Sequence, residues 1–157
     1  MVEMVPETEA RVEINTEEQI NQRIRRELEA RVCYYAQRID EIDGRLEELD
    51  QEWDVERVLE TNAGIAFLLG VTLGAIRGKW YLLSGVVAAF LIQHAVQGWC
   101  PPVSIFRRLG VRTSAEINHE RFALKALRGD FANVHMDGDQ STEQRARRAI
   151  EAADAFL

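Results

Sequence analysis

The chain has 157 residues, 46% hydrophobic and 29% charged, with a net charge of −7 and two cysteines. Residues 1–58 carry 17 acidic and 8 basic side chains, whereas 101–132 carry 6 basic and 3 acidic, so the acidic front half would repel phosphates and nucleic acid is excluded as a partner. Cys33 and Cys100 are too few and too widely spaced for a disulfide framework or paired zinc ligands, and the opening MVEMVPETEA has neither a secretory nor a transit pattern.

Residues 1–15 are polar and aperiodic, which predicts a flexible tail. Thr16 with Gln19 has the form of a capping box, so order is expected to begin there. From that point Leu28, Val32, Tyr35, Ile39, Ile42, Leu46, Leu49 and Trp53 recur at spacings of four and three. This heptad pattern predicts an amphipathic coiled-coil helix over 16–58, with those residues as its core. Arg38 and Arg45 fall at g, and Asp43 and Asp50 at e, where they would attract across a parallel homodimer. Two alternatives remain: one amphipathic helix packed on its own chain, or a turn at Asp43-Gly44 that folds the segment into antiparallel helices.

Two apolar segments free of charge follow, separated by Arg77-Gly78-Lys79. The helices that contain them, about Leu59–Ile76 (with Glu60 in its first turn) and Trp80–Val96, would be roughly 27 and 25 Å long at 1.5 Å per residue, slightly under the ~30 Å hydrocarbon thickness. Arg77 and Lys79 reaching to headgroups, with Trp80, Tyr81 and Trp99 at interfacial depth, suit a bilayer hairpin. Ala66, Gly70 and Gly74 on the first helix, and Gly85 and Ala89 on the second, repeat at four-residue intervals as helix-packing faces. The spacing leaves open whether they join the two helices of one hairpin or two copies of the chain. Arg45, Arg57, Arg107, Arg108 and Arg112 on the terminal side outnumber Arg77 and Lys79, which places both termini in the cytoplasm.

Pro101-Pro102 stops the second span, and a short piece through Ile105, Phe106 and Leu109 ends at Gly110. Thr113 with Glu116 signals a helix to about Arg128, within a juxtamembrane segment 115–132. Its Ile117, Phe122, Leu124 and Leu127 beside Arg121, Lys125 and Arg128 suit either an anionic membrane surface or packing beneath the first helix. Residues 133–157 read as a linker and a last helix capped by Ser141 and Gln144.

The run Gly98-Trp99-Cys100-Pro101, followed by Leu109-Gly110-Val111 and Thr113, resembles the YgaP-like transmembrane domain family, with Asn62 and the first-span glycines in agreement. The resemblance covers about 60–114 and implies a two-helix hairpin of bacterial inner membranes, within a hairpin unit 59–114. Some relatives join the hairpin to a rhodanese domain, which this sequence does not encode.

Cys100 is the candidate reactive thiol, able to accept sulfur if His94, Arg107 or Arg108 lowered its pKa; the competing reading is a packed turn cysteine. Gln93 and His94, near a span end, suit carbonyl or headgroup-water contacts rather than transport. His119 and His135 have no second ligand nearby, so no metal and no cofactor is expected. The expected fold is all-α: a transmembrane hairpin, an N-terminal coiled-coil helix and short C-terminal helices. The expected role is a non-enzymatic membrane anchor in the inner membrane that self-associates as a homo-oligomer or binds a protein partner through its N-terminal helix, with a sulfur-handling accessory acting through Cys100 as the alternative.

Overall fold

The computed structural model describes residues 8–131, which are helical throughout apart from short links and contain no strand. The final linker and helix, with His135, Ser141 and Gln144, lie outside the described residues, as do residues 1–7 of the N-terminal tail. The helices are α1 (Thr8–Ile14), α2 (Glu18–Tyr35), α3 (Ile42–Gln51), α4 (Val55–Ile76), α5 (Tyr81–Gln97), α6 (Pro101–Arg108) and α7 (Ser114–Arg128).

α4 and α5 form the expected hairpin, turned through a 3-10 segment at Gly78–Trp80. Both are long and apolar enough to cross a membrane. Their Ile65, Leu68, Leu69, Ile76, Leu82, Ile92 and Val96 stand more than half exposed. Leaving one such side chain in water forgoes roughly 1.5–3 kcal/mol of burial, so a row of them fits hydrocarbon and not the interior of a soluble bundle. Polar groups on the exposed surface of the first span bond back to their own helix: Thr72 Oγ1 donates to the Leu68 carbonyl at 2.8 Å and Asn62 Nδ2 to the Val58 carbonyl at 2.7 Å.

The first-span glycines set the hairpin's closeness. A Cβ on Gly70 would lie 2.9 Å from the Ser84 backbone nitrogen, and one on Gly74 would meet the Tyr81 ring at 2.6 Å. Ser84, buried at this contact, donates to the Phe67 carbonyl at 3.0 Å. Ala66 flanks a groove on the same side. Gly85 and Ala89 are exposed on α5, and a Cβ on Gly85 would meet nothing within 4 Å.

The long coiled-coil helix is corrected. α2 ends at Tyr35, a 3-10 turn occupies Ile39–Glu41, and α3 stops at Gln51 before the 52–54 link. The reason lies in α7, on which both α2 and α3 pack. Ile42, Leu46 and Leu49 form one buried cluster with Ile117 and Leu124, flanked by Tyr35 and Leu127. Leu28 is buried as well, Val32 is half-buried, and Ile39 and Trp53 are exposed, so the heptad does not continue as one seam. The charges assigned to a partner helix are used within the chain: Asp43 pairs with Arg128 and Asp50 with Arg121. Gly44 lies inside α3, so the break falls before Asp43-Gly44 and not at it.

The tail boundary also moves. α1 begins at Thr8, and its Val12 is fully buried with Val55, Leu59, Cys100 and Val103. α1 lies across the end of α5, where Arg11 Nη1 donates to the Val96 carbonyl at 2.6 Å. Gly98, at φ 69°, closes α5 in the left-handed region, and a Cβ there would lie 2.3 Å from the Arg11 Cβ. Thr16 caps nothing: its hydroxyl donates back to the Val12 carbonyl at 2.7 Å, and α2 starts after Glu17 without a side-chain cap.

Gly70→Ala should destabilise the hairpin by about 1–3 kcal/mol because Ser84 backbone stands in the way. Gly85→Ala should change it by less than about 0.5 kcal/mol. Reversible unfolding of the two variants in detergent micelles reads the difference, and equal losses would contradict this packing.

Candidate functional site

The helices flanking the hairpin on both sides close into one lobe at its base, and charged side chains fill much of the lobe's interior. Arg107, on the inner face of α6, is fully buried. Its Nη1 and Nη2 meet Glu116 Oε2 and Oε1 at 2.6 and 2.8 Å in a bidentate pair. Nη1 also donates to the Val111 carbonyl (3.1 Å), Nη2 to Asn21 Oδ1 (3.0 Å) and Nε to Thr16 Oγ1 (3.3 Å), so all five N–H groups are used. Glu116 is also the third residue of α7 in a complete capping box: it accepts from the Thr113 N–H at 2.8 Å while Thr113 Oγ1 accepts from its own N–H at 3.2 Å. One carboxylate therefore starts α7 and neutralises α6.

One turn further on, Glu120 is fully buried among three arginines. Arg45 Nε reaches it at 2.9 Å and Arg31 Nε at 3.1 Å, and Arg112 pairs with it closely. Arg112 is held from its other side by Glu52, whose oxygens accept from Nε and Nη2 at 2.7 and 2.5 Å. Burial by itself would raise the Glu120 pKa, but hydrogen bonds from Arg45 and Arg112, with the charges of Arg112 and Arg31, outweigh it and hold the carboxyl below its usual range. Burial likewise opposes the charge on Arg112 and Arg45, and the carboxylates around them reverse that and keep both firmly protonated. The network joins α2, α3, the 52–54 link, the α6–α7 link and α7, and the Val55 N–H adds a bond to the Arg112 carbonyl at 2.8 Å.

The sequence reading picked out Thr113 and Glu116 but missed these pairings. A signal was present: Ile117, Glu120 and Leu124 share one face of a helix, and a carboxylate among buried apolar neighbours requires a cation. α7 accordingly packs beneath α3, with Ile117 and Leu124 buried.

Above the lobe, an apolar groove of about 230 Å³ lies between α4, α5 and α6, walled by Ala63, Ala66, Phe90, Pro102 and Phe106, with Cys100 at its edge. Cys100 itself is 1% exposed. Burial pushes its thiol above the ordinary value, offset in part by the Val103 N–H. Two of the cations proposed to activate it are engaged elsewhere, Arg107 with Glu116 and Arg108 with Glu17 at 2.6 Å. His94 is buried near the end of α5 with neither ring nitrogen hydrogen-bonded. Cys33 is exposed on α2. Among the described residues, no group of three or more His, Cys, Asp and Glu side chains is placed to hold a metal ion.

Two measurements test this site. Glu120→Gln should cost the lobe about 3–5 kcal/mol by leaving buried guanidiniums short of a counter-charge. Because the Glu120 pKa is lowered on folding, its contribution is present above the unfolded carboxylate pKa and is lost as pH falls through the folded value. Lobe melting followed by circular dichroism should therefore be level from pH 7 to about 5 and fall below about 4, with the acid dependence reduced in Glu120→Gln. Alkylation at neutral pH should modify Cys33 well before Cys100, as read by mass spectrometry; equal rates would mean the Cys100 thiol is open and ionised.

Comparison with known proteins returns a family model described as "Inner membrane protein YgaP-like, transmembrane domain", matched over residues 54–116. No curated protein and no solved structure matches the chain. The matched segment begins at Asp54, whose carboxylate accepts the Arg57 N–H at 2.7 Å and caps α4, and ends at Glu116, the partner of Arg107. It contains α4, α5, α6 and the first turn of α7, while Arg31, Arg45, Glu52 and Glu120 lie outside it. Residues 54–116 of this chain thus match the YgaP-like transmembrane domain, and the flanking helices are fastened onto that segment through Arg107, Arg108 and Arg112.

Proposed function

We propose that the chain is a non-enzymatic membrane scaffold: the hairpin crosses a bacterial inner membrane twice, both flanks lie in the cytoplasm, and the acidic lobe is presented there to a second copy or a protein partner. The observation carrying this reading is the contrast between the two halves of the molecule. The hairpin leaves its apolar side chains uncovered, whereas the flanks fold into a lobe whose buried carboxylates and guanidiniums are committed to one another. Charges spent in that way are structural partners and are poorly placed to act as acids or bases.

Orientation follows from Arg57, Arg107, Arg108 and Arg112 beside the spans against Arg77 and Lys79 in the turn, since insertion reads Lys and Arg before the lobe has folded. Self-association is assigned to the exposed Gly85–Ala89 face of α5, because the apolar residues once assigned to a coiled-coil seam are largely taken up within the chain. The sulfur-handling alternative needs a Cys100 thiolate, which its burial opposes.

The expressed chain should stay in the membrane pellet through alkaline carbonate washing and should crosslink to itself in proteoliposomes. Gly85→Leu should keep it in the pellet and reduce the crosslinked dimer several-fold. Release by carbonate would overturn the membrane reading; a monomer at every protein-to-lipid ratio would overturn self-association alone.

A further inference from the structure

We propose that α6 is an interfacial helix whose exposed Ile105–Leu109 stripe sits in the headgroup and upper acyl region of the bilayer that holds the hairpin. The inference rests on the reading that α4 and α5 span that bilayer, and it concerns a surface which that reading leaves unexplained.

α6 starts four residues after the last residue of α5, redirected by the left-handed turn at Gly98. Its inner face carries Val103 and Arg107, both buried in the lobe. Pro102 and Phe106, on the next face round, wall the apolar groove together with Ala66 of α4 and Phe90 of α5. That contact sets this side of α6 level with the apolar part of the spans. At about 100° per residue, Leu109 lies about 20° from Pro102, Ile105 about 40° further, and Arg108 beyond them. Ile105 and Leu109 are 60% and 75% exposed, and Pro101 beside them is exposed too. Beyond this stripe, Arg108 pairs with Glu17 at 2.6 Å, both largely in solvent. Going round the helix, the order is thus lobe, hydrocarbon-level groove, uncovered apolar stripe, and aqueous ion pair.

Such an order describes an amphipathic helix lying in the plane of a membrane interface. Eight residues would bind a membrane weakly by themselves, but α6 is covalently continuous with a span and needs no separate affinity. The occupant is assigned as lipid because the stripe continues the lipid-facing surface of the hairpin past Pro102 and Phe106. The surface role that the sequence offered to α7 passes to α6, since the apolar face of α7 is occupied by α3.

The test uses the full chain in lipid vesicles, in a Cys33→Ser background with the buried Cys100 left in place and serving as the control for background labelling. Nitroxide labels are attached singly through Ile105→Cys, Leu109→Cys, Arg108→Cys and Leu68→Cys. Collision of each label with oxygen, which partitions into lipid, is compared with collision with a water-soluble nickel chelate. Labels at 105 and 109 should favour oxygen, at a shallower depth than the label at 68, and the label at 108 should favour nickel. Labels at 105 and 109 that favour nickel, as at 108, would place the stripe in water and overturn the proposal. Shielding from both reagents would show it covered by protein, whether a second copy or another chain, and would overturn it equally. Nickel access at 68 would overturn the spanning reading itself; oxygen at 68 with nickel at 105 and 109 would overturn the interfacial helix alone.

Discussion

The lobe depends on a single carboxylate, Glu120, buried with three guanidiniums aimed at it from three parts of the chain. A buried carboxylate without partners would cost far more than the lobe's small apolar clusters return. Once Arg31, Arg45 and Arg112 surround it, the same charge fixes where α2, α3 and the α6–α7 link must lie. The hydrophobic clusters supply attraction without direction; the ion network selects one arrangement among the ways the flanking helices α1, α2, α3, α6 and α7 could collapse. Arg107 and Glu116 repeat this logic one turn earlier and settle the angle at which α6 meets α7.

The hairpin follows different rules. In hydrocarbon, apolar contact gives helices no reason to pair, so closeness has to come from missing side chains and from hydrogen bonds within the pair. Gly70 against Ser84, and Ser84 with the Phe67 carbonyl, supply both at one point. Hairpin and lobe meet where Val55, Leu59, Cys100 and Val103 form a cluster closed by Val12 of α1. Cys100 in this setting behaves as a small apolar side chain that completes the packing beneath the groove.

Elements governed by local chemistry were legible in the sequence: the two apolar spans, their turn at Arg77-Gly78-Lys79, and the helix opened by Thr113 and Glu116. Helix periodicity was legible too, but what it packed against was not. Leu28, Ile42, Leu46 and Leu49 obey a heptad, and a heptad states only that one face is apolar; α7, about seventy residues away, takes the place a second chain would have filled. The error at Thr16 has a similar origin, because a Ser/Thr-x-x-Gln pattern cannot show that the hydroxyl is claimed by Val12 and Arg107. Glu120 was hidden by its chemistry, since a charged residue on a helix is ordinarily read as solvated, and only its apolar neighbours Ile117 and Leu124 argued otherwise.

The lobe is assembled from segments on both sides of the hairpin: α1, α2 and α3 are made before the spans, and α6 and α7 after them. Arg31 and Arg45 therefore cannot meet Glu120 until both spans have been synthesised and the later flank has returned to the face where the earlier one waits. A chain that threaded only one span would leave the two flanks on opposite sides of the bilayer, each with half a core and uncompensated charges. The Glu120 network thus closes only with both flanks at the same end of the α4–α5 hairpin, so the fold of the lobe depends on how the two long helices are placed.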